Sequence, residues 1–139
     1  MAKDEQEYYT SDIYATMSED IIREKFPEIL ACGVSVGILS STKEKKVGRT
    51  KLVLGECKKV SPMYRVFCPY DFIIIIYDAN CAGMTDEQMK ILLWHELEHI
   101  GIDGNGELYV KPHDFEDFND IIEKHGLRWN VPRGTIEEG

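Results

Sequence analysis

The chain has 139 residues, 43% hydrophobic and 29% charged, and its 16 basic and 25 acidic residues give a net charge of −9. This length suits one domain with a single buried core, and the composition is that of a globular chain. The acidic balance opposes unaided attraction to nucleic acid or to membrane surfaces, and the longest apolar run, Phe72 to Tyr77, falls far short of the ~20 residues that span a bilayer.

The charged N-terminus, with no apolar stretch behind it, predicts no secretory signal and a soluble, cytoplasmic protein. Residues 1–17 are polar and carry no firm structural signal, so a single domain is expected over 18–132, followed by a mobile acidic tail at 133–139. Ser18 reads as a helix N-cap, with Glu19 and Asp20 in the first turn and Ile22, Phe26, Ile29 and Leu30 as the apolar face. Pro27 removes a backbone donor and should kink this helix or split it after Phe26. Val34 to Leu39 alternates like a strand, and Lys51 to Cys57 reads as a second strand paired with it in a long hairpin.

Between them runs a basic stretch. Lys43, Lys45, Lys46, Arg49, Lys51, Lys58 and Lys59 face only Glu44 and Glu56 in the segment Lys43–Lys59. A weak nucleic-acid patch and a solvated hairpin tip both explain these charges, and the acidic whole favours the tip. Ser61-Pro62 marks a turn, and Phe72 to Tyr77 reads as a strand covered on both faces. Cys32, Cys57, Cys68 and Cys81 form no CxxC pair, and in a cytoplasmic chain they read as reduced, mostly buried thiols.

The next helix has the clearest signals. Thr85 with Gln88 is a capping box, and Met89, Leu93, Leu97 and Ile100 mark the core face before Gly101 and Gly104 end the helix. Residues 102–111 read as a connection. Pro112-His113-Asp114 then opens a last helix with Phe115, Phe118, Ile121 and Ile122 inward, closed by Gly126, and Trp129 packs back on the domain. Helices and strands in this order give an α+β domain, a small sheet against a helical layer.

His95-Glu96-Leu97-Glu98-His99 lies at the end of the capped helix. Spacing of four sets both imidazoles on one face, one turn apart, where they can share a zinc ion. Glu96 flanks that face and can take a proton from the attacking water and deliver it to the leaving group. A hydrolytic zinc site needs a third protein ligand. His113, Glu107, Glu116, Asp103 and Asp117 are the downstream candidates. His113 ranks first, because a Gly-rich reversal after Gly101 can return the chain to the metal; Glu116 is its rival. Asp117 is placed to hold the ring of His113 through its second N–H. His125 reads as a stabiliser of its own helix end. No residue stands out as an oxyanion stabiliser, and Tyr109 and Arg128 are named for that role without a motif behind them.

With these motifs in place, the sequence resembles the phage metallopeptidases, which are similar to the SprT-like zinc peptidases. The residues that carry the likeness are Gly48 with Leu54-Gly55-Glu56-Cys57-Lys58-Lys59-Val60-Ser61, then Tyr70-Asp71-Phe72-Ile73-Ile74, then His95-Glu96-Leu97-Glu98-His99, then His113-Asp114-Phe115-Glu116-Asp117-Phe118 leading to Gly126. The resemblance spans roughly residues 18 to 130. It implies a compact zincin-like fold, one zinc per chain, His113 as third ligand, and a strand at 72–77 crossing above the active-site helix, with an exposed edge nearby for extended substrates. Asp114 stands where SprT-like proteins usually have glycine. The implied function is a zinc-dependent peptidase acting on proteins in an infected bacterial cytoplasm. A zinc hydrolase of non-peptide amides and a non-catalytic zinc-stabilised binding protein are the alternatives.

Overall fold

The computed structural model describes residues 7–47 and 51–111, and within them eight strands and four helices form an α+β arrangement around one mixed sheet. The first strand, β1 (Tyr8–Thr10), leads directly into α1 (Asp12–Lys25). Ser11 caps this helix by accepting from the Tyr14 N–H, and Asp12 complements the dipole. Ser18, expected as the cap, lies inside the helix, buried, with its hydroxyl donating to the Tyr14 carbonyl at 2.7 Å. The helix starts earlier because Tyr14, Met17 and Ile21 also pack against the core, so its apolar face extends upstream of the acidic pair. Structure therefore begins inside the segment read as featureless.

Pro27 splits the helix as expected: Phe26 closes α1, and α2 (Pro27–Ala31) starts with proline in its first turn. Ile22 and Ile29 are buried, whereas Leu30 points to solvent.

The main sheet has the order β1-β2-β6-β5, with β2 (Val36–Ser41), β5 (Gly55–Lys59) and β6 (Phe72–Tyr77). The expected long hairpin does not form. Instead β6 lies between β2 and β5, parallel to β2 (Val36 opposite Phe72) and antiparallel to β5 (Gly55 opposite Ile76). The physical reason is burial: the Ile73–Ile76 run has apolar side chains on both faces, which suits the centre of a sheet better than its edge. Phe72, Ile74 and Ile76 enter the core, and Ile75 and Tyr77 are buried on the opposite face. The edge beside β6 belongs to β5, which ends the sheet.

The basic stretch forms its own ribbon, β3 (Lys46–Val47) with β4 (Lys51–Leu52). The strand expected over 51–57 is thus divided between β4 and β5. Asn80 fixes the base of the ribbon by donating its side-chain amide to the carbonyls of Lys45 and Val53, at 2.9 and 2.7 Å. Lys45 ion-pairs with Glu56 at 2.8 Å and lies over the Tyr77 ring, and Tyr77 donates its hydroxyl to the same carboxylate. Burial alone would raise the pKa of Glu56, but the hydrogen bonds from Lys45 and Tyr77 outweigh it and hold the carboxyl below its ordinary value. Lys43 pairs with Glu7, a second acidic partner for a lysine of this stretch.

At Ser61-Pro62 the turn becomes a short helix, α3 (Pro62–Arg65), capped by Ser61. This connection exposes Met63, Tyr64, Val66 and Phe67. All four cysteines are free thiols; Cys81 is buried, Cys57 and Cys68 are half-buried, and Cys32 is exposed, contrary to the expectation of general burial. No described helix is long and apolar enough to cross a membrane.

Candidate metal centre

The site is built on α4 (Asp86–Leu97). Its capping box is formed in both directions, with Thr85 accepting from the Gln88 N–H and the Gln88 side chain accepting from the Thr85 N–H. Leu92, Leu93 and Leu97 are almost fully buried against the sheet, each burial stabilising the seating of the helix by about 1.5–3 kcal/mol. His95 and Glu96 lie in the last helical turn, and the helix ends at Leu97, earlier than the expected end beyond Ile100. His99 is therefore outside the helix. Its N–H donates to the Glu96 carbonyl at 3.1 Å, closing a final tight turn.

A second element takes over from the helix there. Residues 100–110, expected to finish the helix and then run as a plain connection, form a hairpin of β7 (Ile100–Ile102) and β8 (Leu108–Val110). Asp103 organises the turn, its side chain accepting from the N–H groups of Asn105 and Glu107, both at 2.8 Å. Gly106 has a φ of 82°, the left-handed conformation that glycine adopts most readily in the loop between the two strands. Across the strands the Tyr109 ring lies on Gly101, where a Cβ would come within 2.5 Å of it.

The hairpin returns the chain to His99. Lys111 donates its N–H to the His99 carbonyl at 2.6 Å, and the Lys111 carbonyl lies 2.8 Å from His99 Nδ1. The imidazole nitrogen thus takes the place that a backbone N–H would hold in an antiparallel ladder. Because a carbonyl oxygen only accepts, Nδ1 carries the proton, and the lone pair of the neutral ring is on Nε2. This is the orientation that outer-shell carbonyls commonly give to metal-binding histidines.

His95, Glu96 and His99 are buried together, each about 5% exposed or less. The two imidazole centroids are 5.3 Å apart with ring planes at 84°, so the rings approach from different directions. Two imidazoles set side by side, one with Nδ1 engaged by a carbonyl, fit a borderline-soft divalent cation such as zinc. Glu96 packs against the edge strand, its carboxylate close to Gly55. Cys57, two residues along β5, has its thiol pushed up to about 12, first by burial and then by the negative charge of Glu96.

Among the described residues, no group of three or more His, Cys, Asp or Glu side chains is placed to share an ion. Asp103 and Glu107 are exposed on the hairpin turn and do not join the histidines. Tyr109 lies on Gly101. His113, Asp114, Glu116, Asp117, His125, Arg128 and Trp129 lie outside the described residues. Sequence reasoning missed Lys111, which acts through its backbone, and Gly55, although an isolated glycine inside a strand does signal a close approach.

No curated protein and no solved structure matches the chain. The family model described as Putative phage metallopeptidase matches residues 6–135, and this description implies a metal-dependent peptidase with protein or peptide substrates. With the match covering nearly its whole length, the chain belongs to the phage metallopeptidase family.

Proposed function

We propose that the chain is a zinc-dependent peptidase in which His95, His99 and His113 hold one zinc ion and Glu96 is the general base. The observation that carries this reading is the clasp between Lys111 and His99, which directs the His99 lone pair to Nε2 beside His95. The same clasp brings the chain past His99 two residues before His113, within about 7 Å of extended backbone, a reach that supports His113 as third ligand. Asp117, four residues further on, is assigned to orient the ring of His113.

Zinc held there would polarise the scissile carbonyl and acidify the attacking water. Glu96 takes the proton from that water and returns it to the departing amide nitrogen. Its burial against β5 restricts bulk water around the carboxylate. One side of β5 pairs with β6, and the other, at the edge of the sheet, is assigned to an extended substrate by β-addition. Substrates are proteins or peptides met in the infected bacterial cytoplasm.

Zinc-loaded protein is expected to cleave unfolded protein substrates. Glu96→Gln should keep zinc and fold while losing turnover, since the amide cannot accept the proton. His95→Ala, His99→Ala and His113→Ala should each lower zinc affinity by orders of magnitude, and Asp117→Asn by only about 10–100-fold. Elemental analysis finding no bound metal after zinc supplementation would falsify the reading. Equal turnover by Glu96→Gln removes Glu96 from the base role. A Glu116 oxygen at about 2.0–2.2 Å from zinc, with His113 turned away, reassigns the third ligand.

A further inference from the structure

Gly55 is the first residue of the edge strand, in a segment otherwise suited to larger side chains. A Cβ at this position would stand 3.3 Å from Glu96 Cγ, 3.3 Å from Glu96 Oε2 and 3.3 Å from the Ile75 carbonyl oxygen. All three contacts are tight, and their ability to yield differs. Ile75 belongs to β6, which pairs with β2 on one side and β5 on the other, so its backbone is held in the middle of the sheet. Glu96 is 4% exposed and stands on the last turn of a helix with a complete capping box. A methyl group at position 55 would therefore compete with the Glu96 side chain for one space, and the side chain is the part that can move.

The strand leaves this space on one face only. Gly55 and Cys57 are directed toward Glu96, whereas Glu56 between them points to the opposite face, toward Lys45 and Tyr77. Half-buried Cys57 packs against the core beside the carboxylate. The inner face of β5 is thus a wall with a notch at Gly55 and a small polarisable side chain next to it.

We propose that Gly55 is a positioning residue for Glu96: the missing side chain seats the carboxylate against the edge strand, within reach of a substrate backbone laid along β5. This rests on the base role assigned to Glu96 above. It makes position 55 a determinant of turnover, although residue 55 has no side chain that can enter the chemistry.

Two measurements test it. The first is thermal unfolding of wild type, Gly55→Ala, Glu96→Ala and the double variant. Glu96→Ala removes both side-chain atoms that crowd position 55, so Gly55→Ala is expected to lower Tm in wild type and to be largely tolerated beside Glu96→Ala. Equal losses in both backgrounds would place the conflict at the Ile75 carbonyl and overturn the proposal. The second is kinetics of the zinc-loaded protein. A carboxylate displaced by a fraction of an ångström should reduce kcat on the order of tenfold to a hundredfold, with KM and zinc affinity unchanged. Wild-type kcat in Gly55→Ala overturns the proposal, as does a loss of zinc affinity parallel to the loss of activity. If wild type is inactive yet the thermal coupling is present, the peptidase reading fails and the seating of Glu96 by Gly55 stands.

Discussion

The two small ribbons, β3–β4 and β7–β8, look alike in sequence, since each joins larger elements through a polar stretch with glycine. Their anchoring differs. A side chain closes the first: the Asn80 amide gathers the carbonyls of Lys45 and Val53, and Lys45 settles on Glu56 and Tyr77. The second works in the opposite sense, its returning backbone aiming a side chain, the imidazole of His99. One ribbon is closed by a side chain of the domain, and the other orients a histidine of the candidate metal centre. Polarity and glycine content do not separate these roles; the destination of the backbone hydrogen bonds does.

The largest effect is expected where the second ribbon meets His99. Lys111→Pro removes the N–H that bonds the His99 carbonyl but retains a carbonyl at position 111. Without that bond the Lys111 carbonyl loses its alignment on His99 Nδ1, so zinc affinity, measured by competition with a chromophoric chelator, should fall about 10–100-fold. Lys111→Ala should leave it unchanged, because only the backbone contributes. Wild-type zinc affinity in the proline variant would erase the distinction between the ribbons.

The first ribbon should respond in stability alone. Asn80→Ala leaves two carbonyls without the amide that served them and should destabilise by about 1–3 kcal/mol in denaturant unfolding. Zinc affinity should be unaffected; a parallel loss would mean that the ribbons are coupled through the sheet.

The smallest effect concerns pH. Glu56 has a folded pKa below its ordinary value, so its contribution to stability is present above the unfolded value and disappears as pH falls through the folded one. Glu56→Gln should flatten the acid side of a stability–pH curve and leave the neutral side nearly level. Asp71, held low against its own burial by Ser35 and Arg65, remains as a second acid-sensitive group in that variant. An unchanged acid limb in Glu56→Gln would assign the sensitivity to Asp71 and the remaining carboxyls.

Side-chain signals made α4 legible: the cap at Thr85, the buried Met89, Leu93 and Leu97, and the spacing of His95 and His99 are all local. The break at Pro27 was equally local. Sheet order was not, because an alternating strand at 34–39 matches a neighbour at 51–57 as well as one at 72–77 until burial on both faces of β6 decides the pairing. Ser11 and Ser18 are both good caps, and the choice depended on where Tyr14 and Met17 pack. The hairpin after α4 was hidden because helical spacing continued to Ile100 while Asp103 and Gly106 set a strand reversal beyond it. Of the candidate site, the His95–Glu96–His99 core was readable, and the Lys111 contact was not, since any residue supplies the same carbonyl.

Because that contact is made by a carbonyl, the orientation of His99 constrains the length of the returning strand more than its composition. Carbonyls alternate in direction along an extended chain, so inserting one residue between Leu108 and Lys111 would present the wrong side of the peptide to His99. Apart from proline, side chains at position 111 should therefore be freely exchangeable in this chain, whereas a change in the length of the returning strand should not be tolerated.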